Sequence, residues 1–166
     1  MARLFFAIWP GAEASRQLAT VAESLAQLVG GNPMAAEKIH MTLAFLGSHD
    51  DAGAGRAVAA ASRVKAAGIG MTIDQVGSFR RARVGWAAPS LSSAALVELQ
   101  LRLARELASE GFAPEDRAFT PHATLVRKIE KPVPCAAVAP VDWRSHALTL
   151  VESSGGRYEV LESWGL

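Results

Sequence analysis

The pattern His-x-Thr-Leu occurs twice in this chain, as His40-Met41-Thr42-Leu43 and as His122-Ala123-Thr124-Leu125, about half the chain apart. In an extended strand side chains repeat with period two, so the His and Thr of each copy share one face. Each copy then presents an imidazole beside a hydroxyl, a proton-transfer group next to a hydrogen-bond donor. With one helix and one such strand in each half, the sequence is constrained towards two similar lobes. Their motif strands are expected to meet at a central cleft.

The remaining composition permits this arrangement. Half of the 166 residues are hydrophobic and 20% are charged, which suits a single packed domain. A net charge of +1 argues against wholesale electrostatic coating of nucleic acid, so any contact with an anion must be local. The one cysteine, Cys135, allows no internal disulfide and fits a reducing compartment. No basic or His-rich neighbour marks it as an activated thiol. The apolar run Leu4 to Trp9 is shorter than a signal h-region and ends at Pro10-Gly11, as a strand does. No segment approaches bilayer-spanning length. The expectation is a cytoplasmic protein without membrane contact, acting as a monomer.

Hydrophobic spacing predicts a buried first strand from Arg3 to Trp9 and a helix over 12–29, with Leu18, Val21, Leu25 and Leu28 at helical intervals and Gly30-Gly31 as its stop. A strand over Lys38 to Leu46 carries the first motif, and an Ala-rich helix runs to about Ala67. Strands over 70–76 and 82–88 flank a turn at Gly77 to Arg81. Pro89-Ser90 opens a helix containing Leu91, Ala95, Leu99, Leu103 and Leu107, closed by Gly111. The second motif lies on a strand to about Ile129. Three prolines make 131–140 a connecting loop, and 143–151 with 157–164 form a closing hairpin.

Cleavage of a phosphodiester requires a base to deprotonate water and an acid to protonate the departing oxygen. Histidine serves for both because its ordinary pKa is near 6.5. Thr42 and Thr124 could hold non-bridging oxygens. Arg127, five residues after His122, is the candidate phosphate-binding cation, because guanidinium matches phosphate geometry. Strict alternation sends it to the opposite face, so it needs a bulge, a twist or the strand end to reach the site. Phe45 holds the same offset in the first copy and is the candidate base-stacking side chain, with core burial as the alternative. His49, in an acidic turn, reads as solvated, and nothing marks His146 as functional. The four histidines lack metal-ligand spacing, so no metal is expected. Phe79, Arg80, Arg81, Arg83 and Trp86 form a basic–aromatic cluster, read as a solvated hairpin tip in preference to a nucleic-acid contact.

These residues resemble the two-histidine (2H) phosphoesterase superfamily, in particular its bacterial RNA 2′,3′-cyclic phosphodiesterase branch, the LigT-like or 2′-5′ RNA ligase proteins. The resemblance rests on Arg3 to Ile8, His40-Met41-Thr42-Leu43-Ala44-Phe45-Leu46-Gly47, Arg83 to Trp86, Phe119 to Arg127, and the tail from Ser153 to Trp164 with Gly156 and Tyr158. It implies an α+β bilobal fold with two antiparallel sheets flanked by helices around a central cleft, one domain over 1–166. It implies opening of RNA terminal 2′,3′-cyclic phosphates to 2′-phosphomonoesters with no cofactor, and weak reversible 2′-5′ ligation. His122 would activate water, His40 would protonate the 3′ oxygen, and Thr42, Thr124 and Arg127 would grip the phosphate. The alternatives are the same chemistry on a small cyclic nucleotide or a 2′-5′ oligonucleotide, and a nucleotide-binding module without turnover.

Overall fold

The computed structural model describes residues 1–166 and has an α+β architecture. Its strands are β1 (Ala2–Ile8), β2 (Asn32–Pro33), β3 (Met41–His49), β4 (Ile69–Phe79), β5 (Val84–Ala88), β6 (Ala123–Arg127), β7 (Ala136–Ser145), β8 (Ala147–Ser154) and β9 (Arg157–Gly165). Three helices, α1 (Ala12–Val29), α2 (Asp51–Ser62) and α3 (Ala94–Ser109), accompany a 3₁₀ turn at Ala36–Lys38. No helix is long and apolar enough to cross a membrane.

All strand pairs are antiparallel, in the order β7-β4-β5-β6-β3-β1-β8-β9, with β2 added to β6. The two four-stranded halves of this path join through one residue pair, Met41 opposite Ala123. Those are the middle residues of the two His-x-Thr phrases. One hydrophobic cluster underlies both halves, built from Leu4, Phe6 and Ile8 of β1 with the inner faces of the helices. Phe5 and Ala7, on the other face of β1, join Val151 in a second small cluster. Burial on both faces explains why this strand is apolar throughout.

Local chemistry sets the element ends. The α1 stripe is Ala14, Leu18, Ala22, Leu25 and Val29, and Leu28, expected inside, is 71% exposed. At 100° per residue Leu28 falls well to one side of the line through Leu18, Ala22 and Val29. Ser90 does not start α3, because Asp74 takes both its N–H and its hydroxyl. Ser93 caps the helix instead, accepting from the Leu96 N–H. The loop expected over 131–140 becomes strand from Ala136. Its Pro140 is tolerated because β7 is an edge strand and the residue falls within a register shift opposite β4. The expected strand over 143–151 breaks at His146, where the chain leaves one half of the sheet for the other. Buried Trp143 fixes that crossing by donating to Ser145, whose hydroxyl donates to the Trp9 carbonyl.

Candidate active site

Met41 and Ala123 are fully buried, so the residues on either side of them turn to the opposite face. Continuing the antiparallel register one step each way sets His40 across from Thr124 and Thr42 across from His122. All four line one cavity of about 630 Å³. The two histidines stand one residue ahead of β3 and β6, not within the strands as the sequence pattern suggested.

The leucine of each phrase has a structural task. β1 pairs Phe6 with Ala44 and Ala7 with Thr42, passing over Leu43; β5 pairs Gly85 with Val126 and Trp86 with Thr124, passing over Leu125. Both motif strands therefore carry a bulge at the same position. Each bulge buries two consecutive side chains, Leu43 with Ala44 and Leu125 with Val126. Beyond it the alternation is inverted, and the residue five after each histidine returns to the cavity side. That is how Arg127 reaches the cavity wall. Phe45 reaches it in the same way and is 44% exposed there, outside the core.

Each imidazole is oriented by the carbonyl two residues before it. His40 Nδ1 lies 2.7 Å from the Lys38 oxygen and His122 Nδ1 lies 2.8 Å from the Thr120 oxygen. A carbonyl only accepts, so Nδ1–H donates in both rings, and the neutral tautomer carries its lone pair on Nε2. The surroundings then differ. His40 stacks on Phe5 at 5.1 Å, meets Trp9 at 4.9 Å and takes the edge of Tyr158 at 5.4 Å. Burial in this aromatic box pushes His40 down from its ordinary 6.5 to about 4. The Lys38 carbonyl pulls the other way, and the charges of Arg127 and His122 depress it further. His122 has one aromatic neighbour, Phe79, edge-on at 4.9 Å.

The cavity also draws on residues given no role from sequence. These are Arg3 and Ser153 from neighbouring strands, Phe79, Tyr158, and Glu115 and Arg117 from the segment before β6. Arg3 and Tyr158 lay in segments already matched to the family, but no spacing rule connects them to the motifs. In the basic–aromatic cluster only Phe79 reaches the cavity. Arg80 and Arg81 are exposed on the turn after β4, and Arg83, at φ 54°, donates to the Ile129 carbonyl. His49, expected in solvent, is half-buried, bonds the Leu46 carbonyl and packs against Phe112. His146 is exposed outside the cavity.

Fold and cleft together are those of a paired-histidine phosphoesterase. The family model described as LigT like Phosphoesterase matches residues 8–86. Over 99% of its length the chain is 32% identical to the RNA 2′,3′-cyclic phosphodiesterase of Escherichia coli strain K12, covering 96% of that protein. It superposes on Escherichia coli LigT complexed with 3′-AMP with a TM-score of 0.90, 30% identity, and coverage of 99% of this chain and 98% of that one. With the TT0787 protein of Thermus thermophilus the TM-score is 0.82 at 24% identity, covering 99% and 97% of the two chains, a likeness of fold. The chain belongs to the LigT-like phosphoesterase family.

Proposed function

We propose that this protein hydrolyses the 2′,3′-cyclic phosphate at an RNA end to a 2′-phosphomonoester, as a single chain and without a metal or cofactor. The observation that carries the reading is the two Nδ1-anchored imidazoles, each with a threonine, around one cavity that also holds Arg127. The Escherichia coli relative, an RNA 2′,3′-cyclic phosphodiesterase, supports the substrate class.

In the proposed step, Nε2 of His122 takes a proton from water as its oxygen attacks phosphorus. The P–O3′ bond breaks, and the 3′ oxygen takes a proton from Nε2 of His40. Thr42, Thr124 and Arg127 hold the non-bridging oxygens and stabilise the charge that builds there. Each proton transfer contributes on the order of 10²–10⁴ in rate. His40 is neutral in the free protein, so its role as acid requires the substrate anion. A phosphate between the rings offsets the field of Arg127 and of His122, two of the causes that hold His40 down. The depressed His40 favours a second allocation, with His40 as base and His122 as acid.

The test is a short oligoribonucleotide ending in a 2′,3′-cyclic phosphate, incubated in excess EDTA with wild type, His40→Ala and His122→Ala. Expected are a 2′-phosphate product from wild type and losses of about 10²–10⁴ in both variants. No turnover by wild type, a 3′-phosphate product, or full activity in either variant would overturn the proposal. Titrating His40 by NMR with and without a 2′-phosphorylated product separates the two allocations. The first requires a marked rise on binding, and the second does not.

A further inference from the structure

We infer that Arg3 receives the phosphodiester one nucleotide upstream of the reacting phosphate, so that the cleft selects a polynucleotide end over a free cyclic nucleotide. The inference rests on the hydrolase reading above and specifies its substrate.

A ladder of flat groups leads away from the site. Trp9 and His40 are 4.9 Å apart, His40 and Phe5 stack at 5.1 Å, and Phe5 and Phe45 stack at 6.0 Å with an 11° interplanar angle. The Arg3 guanidinium lies over the Phe45 ring, 5.6 Å from its centroid. Arg3 is two residues from Phe5 on the same face of β1, about 7 Å further along the strand. This places its charge outside the first phosphate position but on the same wall.

Arg3 is exposed and enters no ion pair, and the residues flanking it in register are Ser48 and Ser153. A cation–π contact engages the charge of a guanidinium without using its N–H groups, which stay free for a bidentate phosphate contact. An unpaired arginine lodged over an aromatic ring of the cavity wall is therefore placed for phosphate before ligand arrives. Arg117 and Glu115, from the segment before β6, also line the cavity, and no ion pair joins them. The cleft residues Arg3, Arg117 and Arg127 against Glu115 leave it more positive than a chain of net charge +1 requires.

The experiment compares kcat/KM for a 2′,3′-cyclic mononucleotide and for a trinucleotide ending in the same group, across a salt series, in wild type, Arg3→Gln and Arg3→Lys. In wild type the trinucleotide is expected to be better by about tenfold or more, and to lose this advantage as salt rises. Arg3→Gln should bring the two substrates to within about twofold through a higher KM for the trinucleotide, and cut its log–log salt slope by about 0.7. Arg3→Lys should restore part of the preference. Equal losses on both substrates in Arg3→Gln, or no trinucleotide preference in wild type, would overturn the inference. If wild type turns over neither substrate, the hydrolase reading fails. Binding of the 2′-phosphorylated trinucleotide against the mononucleotide then decides the role of Arg3 by the same criteria.

Discussion

The aromatic box around His40 makes folding depend on pH in a calculable way. In the unfolded chain His40 titrates at its ordinary 6.5; in the folded protein burial holds it to about 4. Between those values the unfolded state binds the additional proton, so stability is complete above about pH 6.5 and is lost as pH falls towards about 4. Integrating the linkage from pH 7.5 to pH 4.5 gives a loss of about 2–3 kcal/mol from this one group. A loss of that size is a substantial share of the stability of a small domain. Urea denaturation of wild type and His40→Gln at the two pH values isolates it by difference. The wild type should lose about 2–3 kcal/mol more than the variant over this interval. Parallel losses in the two proteins would refute the argument, and so would an NMR titration of His40 near 6.5.

Two further perturbations test the frame. A Cβ at Gly77 would collide with the Trp86 indole, so Gly77→Ala should cost about 1–3 kcal/mol in urea denaturation and shift the tryptophan emission. Ser93→Ala removes the cap that bonds the Leu96 N–H and should cost about 1 kcal/mol, lowering the denaturation midpoint while leaving hydrolysis unchanged.

Much of this fold follows from local pattern, because apolar runs and glycine stops are local quantities. The span of α1 and the place of β1 are legible from Leu18, Leu25, Gly30 and the run from Leu4 to Ile8. What escaped depends on partners distant in sequence. Ser90 looks like a helix start until Asp74 claims it from another strand. Pro140 looks like a loop residue until β7 is known to be an edge. Arg3 carries no signal of its own, since its meaning comes from Phe45, which β-pairing brings beside it.

The Leu in each phrase shows how far a short motif can determine a site. Period-two reasoning puts His and Thr on one face and sends the fifth residue after His to the other. A bulge at Leu43 and another at Leu125 remove that conflict, and two side chains in succession can then point into the core. Leucine suits this position because the additional inward side chain must be apolar and large enough to fill the space it enters. The repeated element is therefore longer than His-x-Thr. It is an imidazole, a hydroxyl, a buried leucine that switches the face, and a fifth-position side chain set free to differ between the halves. The first half uses that freedom for Phe45 and the second for Arg127. The cleft thus gains an aromatic wall on one side and a cation on the other from two copies of one backbone device.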